Sequence, residues 1–144
     1  MTDYRKDIDR IKDPENINEA VYASSPYVLR KAFESDRSVV RLISAGREVV
    51  PLISKEIEKH GMKLSEITLS CYAYILQKID LEAALKILKP LFAKAIKNPG
   101  PFFVNFSAHA LRQKVNLPIK PLQILYTKAE LLETLEVINK LKIT

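Results

Sequence analysis

The stretch that decides the fold is residues 38–53, SVVRLISAGREVVPLI. Apolar side chains recur at helical spacing on both sides of Gly46, and a glycine between two such segments is typical of a helix end. The stretch therefore predicts two helices joined by a tight turn. Residues 72–87, YAYILQKIDLEAALKI, have the same shape. The second copy follows about 34 positions after the first, a spacing that is typical of stacked helix pairs.

The composition agrees with an all-α fold. The chain has 144 residues, enough for one domain with its own core, of which 47% are hydrophobic and 28% charged. Only three glycines occur and tryptophan is absent. Few glycines together with abundant Leu, Ile, Ala, Lys and Glu favour helix over a turn-rich β architecture. We predict a single domain over residues 1–144.

Capping residues mark where the helices begin. The clearest signal is Thr127 with Glu130, a capping box flanked by Tyr126 and Leu131 as a hydrophobic staple. Asp and Ser residues before other apolar segments are typical N-caps, namely Asp13, Ser25, Asp36, Ser65 and Asp80. With the apolar periodicity they predict about eight helices, over residues 15–23, 26–34, 37–45, 47–60, 65–79, 81–97, 102–115 and 128–141. Tyr4, Ile8 and Ile11 share a face and predict a short helical turn before these.

The predicted helices fall into three groups. Residues 14–60 form the first helix pairs, residues 65–115 form the later pairs, and residues 127–142 form a C-terminal helix. Pro118 and Pro121 interrupt helix because a proline lacks the backbone donor and restricts the residue before it. Residues 116–126 are therefore predicted to be an extended connector.

Residues 46–53, GREVVPLI, resemble the start of the second helix in HEAT-like repeats, and residues 80–87 are a weaker match. The resemblance covers roughly residues 36–112. Pro51 has no proline counterpart in the second copy, and the last thirty or so residues do not continue the period. The resemblance implies a short, irregular α-solenoid or stack of antiparallel helix pairs that binds other macromolecules. No functional residue follows from it.

Charge is distributed unevenly along the chain, whose net charge is +6. No acidic residue occurs from Ala83 to Ala129, and this acid-free stretch contains many bases. On a helix, the first four lysines of this stretch fall within an arc of roughly 140°, opposite the apolar stripe. These are Lys86, Lys89, Lys94 and Lys97. The candidate basic face consists of Lys86, Lys89, Lys94, Lys97, Arg112 and Lys114. A nucleic acid, an acidic protein surface or anionic lipid could bind such a face, and a merely solvated lysine face is the alternative.

A second candidate anion-binding ridge consists of Arg37, Arg41 and Arg47. The first two are one helical turn apart, and Arg47 lies across the turn at Gly46. Intramolecular pairing with Glu34, Asp36 and Glu48 is an equally good explanation.

No catalytic or metal-binding constellation is apparent in the sequence. His109 and Ser107 are two positions apart on a predicted helix and therefore point in different directions. His60 precedes Gly61 at a predicted helix end, where a structural role is favoured. The single cysteine, Cys71, lies in an apolar segment and is predicted to be a buried thiol. We therefore expect a protein without catalytic activity and without a cofactor.

The predicted location is the cytoplasm, because there is no apolar stretch long enough for a membrane span and no N-terminal signal segment. The function predicted first is a non-catalytic helical-repeat module that binds a protein partner. The alternative is a nucleic-acid-binding module that uses the basic face of residues 81–97 and 112–114. The sequence does not determine the oligomeric state.

Overall fold

Most helices begin directly after the capping residues that the sequence predicts. The structure, a computed structural model, describes residues 3–17, 25–97, 100, 102–121 and 124–140. Within these ranges there are helices and connecting segments but no strands, so the all-α prediction is confirmed. The helices are α1 (Arg5–Lys12), α2 (Pro26–Ser35), α3 (Arg37–Ala45), α4 (Val50–His60), α5 (Glu66–Ile79), α6 (Leu81–Ala95), α7 (Phe103–Lys114) and α8 (Lys128–Lys140).

The predicted caps are hydrogen-bonded to the first turns of their helices. The Asp36 carboxylate accepts from the backbone N–H groups of Ser38 at 2.9 Å and Val39 at 3.1 Å. In the capping box, Glu130 N donates to Thr127 Oγ1 at 3.2 Å, and Thr127 N donates to Glu130 Oε1 at 2.9 Å. These bonds satisfy backbone donors that have no partner within the helix.

The boundaries differ from prediction in the first half of the chain. Residues 46–49 form a 3₁₀ turn before α4, where Gly46 has a positive φ of 75°, which favours glycine. The helix predicted over 15–23 is wrong at its start, because residues 14–16 form a 3₁₀ turn and Ile17 is extended. The remainder of that prediction, residues 18–24, lies outside the described residues.

Helix α5 lies at the centre of the structure. Residues 68–76 are all buried, and the helix packs against α1, α2, α3, α4, α6 and α7. Cys71 is buried as predicted, and burial raises the pKa of its thiol. The stack is therefore irregular, with helix pairs arranged around one buried helix. The specific resemblance to HEAT-like repeats stays a prediction, as does the single domain.

The buried polar groups of α5 hold α1 in place. Thr68 Oγ1 donates to the carbonyl of Ile11 at 2.9 Å, and the Tyr72 hydroxyl donates to the carbonyl of Ile8 at 3.0 Å. The Ile11 carbonyl belongs to the last turn of α1, where helical partners run out, and the Ile8 carbonyl lies in the middle of the helix. Segment 5–12, predicted only as a short turn, is thus a complete helix stabilised by contacts distant in sequence.

The hydrophobic core is a continuous cluster that extends from Ile8 to Ile138. An aromatic group lies within it, where the ring of Phe33 is 5.7 Å from that of Tyr74 and 5.9 Å from that of Phe106. None of the described helices is both long enough and apolar enough to cross a bilayer. The described parts of the connector, residues 116–121 and 124–126, contain no regular helix or strand, as predicted.

Candidate functional site: the lysine face and the α4/α6 groove

Helix α6 buries one side and exposes lysines on the other. Its apolar residues face the core, and the predicted stripe is confirmed as buried, namely Ala84, Leu88, Leu91, Phe92 and Ala95. Lys86 and Lys94 are exposed, Lys89 is half-buried, and Lys97 is exposed just after the helix ends. We call these four residues the lysine face.

The lysine face is not neutralised by nearby acids. In the described part of the chain, none of its four side chains forms an ion pair. Glu82, the acid nearest in sequence, is engaged by Lys114 instead. Four ammonium groups therefore remain available to an external anionic partner.

Arg112 is not part of this exposed surface, which corrects the predicted basic face. The residue is only 2% exposed. Its Nε donates to the carbonyl of Pro118 at 2.7 Å, and its Nη1 donates to Glu133 Oε1 at 2.9 Å and to Thr134 Oγ1 at 3.0 Å. A further bond of 3.2 Å runs from Nη1 to the carbonyl of Glu130. We call this group the Arg112 cluster. It connects α7, the connector and α8, and Arg112 has no surface to offer a ligand.

Lys114 is exposed but already paired. Its ammonium group contacts the Glu82 carboxylate at the start of α6. The predicted basic face is thus reduced from six residues to the four of the lysine face, which contains no arginine.

A groove runs between α4 and α6 beside two of these lysines. Its volume is about 310 Å³, and its lining comprises Ser54, Ile57, Glu58, Gly61, Lys86, Ile87, Pro90, Leu91 and Lys94. The floor is apolar, since Ile57 and Leu91 are buried core residues and Ile87 packs against the core. Lys86 and Lys94 lie along the α6 wall, and Glu58 lies on the α4 wall. The sequence did not predict this groove, because α4 and α6 come together only through the packing of α5.

Pro90 distinguishes the α6 wall from an ordinary helix surface. It lies inside α6, exposed, between Lys86 and Lys94. Since proline has no N–H group, the carbonyl of Lys86 lacks the hydrogen bond that residue 90 would otherwise donate.

The second predicted ridge is largely engaged within the molecule. Arg41 Nε lies 3.0 Å from the Asp7 carboxylate, and Arg47 Nε lies 3.5 Å from the Asp80 carboxylate. Arg37 is exposed at the start of α3. Two of the three arginines thus bind carboxylates of other helices or caps, and the ridge does not present three free cations.

Two of the three acids that the sequence suggested as partners for this ridge bind other bases. Asp36 pairs with Arg10 at 2.9 Å, and Glu34 lies near Arg30 and Lys31. Intramolecular pairing therefore occurs, but with partners that come from elsewhere in the chain.

The described residues contain no group of three or more His, Cys, Asp and Glu side chains arranged to hold a metal ion. His60 ends α4 and lies 3.4 Å from the Glu56 carboxylate one turn earlier. Comparison with known proteins gives no matching family model, curated protein or solved structure.

Proposed function

We propose that the protein is a non-catalytic interaction module that binds an acidic segment of a partner protein in the α4/α6 groove. The observation that carries the proposal is the combination of an apolar floor with Lys86 and Lys94 along one wall, two lysines that pair with no acid among the described residues. An amphipathic helix inserts its apolar side into such a groove, and acidic residues on its flank meet the lysines. The cytoplasm stays the predicted location.

Nucleic acid is the second candidate, and it is supported less well. The lysine face could contact phosphates, and binding would then fall steeply with salt. However, a phosphate or base reader usually includes arginine, which forms bidentate contacts that lysine cannot form. The one arginine of the acid-free stretch is buried in the Arg112 cluster. The apolar floor of the groove also has no role in contacting a sugar–phosphate backbone.

Charge reversal on the groove wall tests the proposal. Lys86→Glu combined with Lys94→Glu should abolish capture of the protein partner, because two attractions become two repulsions. The matched control is Lys55→Glu with Lys59→Glu, two exposed α4 lysines that do not line the groove. Binding of the purified partner should then be measured directly by calorimetry with each variant. Partner binding that is retained by the groove variant would contradict the groove proposal. Loss of partner binding in the control variant would contradict it as well.

A parallel titration distinguishes the protein-binding function from the nucleic-acid-binding function. Labelled single- and double-stranded oligonucleotides should be titrated against the wild-type protein at low and moderate salt. Under the proposal, oligonucleotide binding is absent or nonspecific, whereas partner binding survives moderate salt because of the apolar floor. Tight oligonucleotide binding that Lys86→Glu/Lys94→Glu removes would instead establish the nucleic-acid function.

A further inference from the structure

A second cavity is lined by helices that differ in part from those of the α4/α6 groove. Its volume is about 290 Å³, and α2, α5, α6 and α7 all contribute to its wall. The lining consists of Arg30, Tyr74, Gln77, Lys78, Leu81, Phe106, His109 and Gln113. This volume lies close to the lower end of the range for small-molecule sites, about 300–1,000 Å³.

Helical spacing explains why these residues meet. Gln77 and Lys78 lie one turn after Tyr74 on α5, and His109 lies one turn after Phe106 on α7. Each helix therefore supplies an aromatic ring and then a polar group along one face. The two rings belong to the aromatic group centred on Phe33, so the apolar part of the wall is anchored in the core.

Three of the lining residues carry buried nitrogen atoms with no hydrogen-bond partner among the described residues. These atoms are Arg30 Nε, Gln77 Nε2 and His109 Nδ1. Arg30 Nε lies 3.4 Å from the carboxylate of Glu34 on the same helix, which is an ion pair without hydrogen-bond geometry. Buried polar atoms are normally satisfied, so these three residues bring to one cavity polar groups that the chain itself satisfies only in part.

The cavity is electropositive. Arg30 and Lys78 line it, and no Asp or Glu does. Burial lowers the pKa of His109, and the positive charge of Arg30 lowers it further. The histidine is thus kept neutral near pH 7, and the charged groups of the lining are Lys78 and Arg30, the second of which also pairs with Glu34.

We propose that this cavity binds a small organic carboxylate, with its apolar body against Tyr74 and Phe106 and its carboxylate bonded to Arg30 and Gln77. An inorganic anion would satisfy the nitrogens but would leave the aromatic wall without a partner. A neutral apolar ligand would cover the rings but would leave the nitrogens unsatisfied. A carboxylate with an aromatic or short acyl body satisfies both parts of the wall, and the bond from arginine is charge-assisted.

Phenylacetate is a suitable probe, and phenylacetamide is its neutral isostere. Both should be titrated into the ¹⁵N-labelled full chain at pH 7 and followed by amide chemical shifts. Phenylacetate is expected to saturate at millimolar concentrations or below and to shift the amides of residues 77 and 109. Phenylacetamide should bind about tenfold more weakly, because one charge-assisted hydrogen bond is lost.

Two variants and a control localise the site. Arg30→Gln should weaken phenylacetate binding by about tenfold, whereas Arg37→Gln, the same change at an exposed arginine of α3, should not. Gln113 is exposed at the edge of the cavity, so Gln113→Trp should fill the cavity without disturbing the core and should remove binding. The Gln113 variant tests the site even if Arg30→Gln fails to fold, and circular dichroism establishes folding in each case.

Several outcomes would overturn this proposal. Equal affinity for phenylacetate and phenylacetamide would show that the charge is not recognised, and equal affinity for inorganic phosphate would show that the aromatic wall is not used. Absence of saturation by phenylacetate at millimolar concentrations, or binding that persists in Gln113→Trp, would show that the cavity is not a carboxylate site.

Discussion

Arg112 and the lysine face come from the same acid-free stretch of sequence but lie in opposite environments. Arg112 is buried and bonded to four oxygen atoms from the connector and α8. Lys86 and Lys94 are exposed and form no ion pair with the described residues. A positive charge in the first region therefore stabilises the fold, whereas a positive charge in the second remains available for binding.

The difference arises from the acids that border the stretch. Glu82 precedes it and pairs with Lys114, while Glu130 and Glu133 follow it and pair with Lys120 and Arg112. Each bordering acid thus neutralises a base near the α7/α8 end of the stretch. None of them pairs with the lysine face.

The largest effect is expected from Arg112→Met, which keeps the apolar stem and removes the guanidinium group. We expect the free energy of unfolding to fall by about 3 kcal/mol, since the buried acceptors around Arg112 lose their donor. Urea denaturation at neutral pH measures this decrease in the free energy of unfolding. The matched control is Lys94→Met. A loss below about 1 kcal/mol for Arg112→Met would place this change among ordinary surface substitutions and contradict the structural role of the cluster.

A smaller effect is expected from Glu130→Gln. The hydrogen bond from Lys120, followed by that from the Thr127 backbone, lowers the pKa of the Glu130 carboxyl from 4.5 to about 2. The folded state thus favours the charged carboxylate, which contributes stability above pH 4.5 that is lost as the pH falls to about 2. At neutral pH, Glu130→Gln should lose less than about 1 kcal/mol, because the ion pair is partly solvated.

Thermal unfolding as a function of pH tests this prediction. The stability curves of wild type and Glu130→Gln should converge between pH 4.5 and about pH 2. Glu136→Gln is the control, since this exposed carboxylate on the same helix pairs with Lys140 outside the capping box. A difference between wild type and Glu130→Gln that stays constant down to pH 2 would show that the carboxylate charge is not the cause.

A still smaller effect is expected from Lys114→Gln. Lys114 and Glu82 are both exposed, and an exposed ion pair contributes little because solvent competes for both charges. The free energy of unfolding should fall by less than about 0.5 kcal/mol. A double-mutant cycle with Glu82→Gln measures the coupling. A coupling energy above about 1 kcal/mol between Lys114 and Glu82 would show that this pair stabilises the fold, as the Arg112 cluster does.

The smallest effect is expected on the lysine face itself. Lys86→Gln with Lys94→Gln should leave the free energy of unfolding within about 0.5 kcal/mol of wild type, because neither side chain has an internal partner. Calorimetric unfolding of the double variant provides the measurement. Marked destabilisation would show that these lysines are part of the fold, and the contrast with the Arg112 cluster would disappear.

The caps were predictable because their partners are close in sequence. Thr127 and Glu130 are three positions apart, and the capping box requires only the local chain and a helix. The environment of Arg112 was not predictable in this way. Glu133 and Thr134 lie 21 and 22 positions away, and only the docking of α8 on α7 brings them to the guanidinium group.

Helix α1 and the cavity that Tyr74 and Phe106 line show the same limit. An isolated segment of eight residues is too short to be a stable helix in water, so the sequence favoured only a turn. The structure adds hydrogen bonds from Thr68 and Tyr72. The cavity likewise depends on α2, α5 and α7 meeting, and no sequence window contains Arg30, Gln77 and His109 together.

The bonds between α5 and α1 also determine when α1 can fold during synthesis. Tyr72 and its acceptor Ile8 are 64 positions apart, so α1 emerges from the ribosome long before its partner. Until α5 emerges, the apolar side of α1 has no surface to cover it and the helix cannot persist. The nascent chain is thus expected to remain open around α1 until α5 has been made, a period in which chaperones can bind the exposed segment.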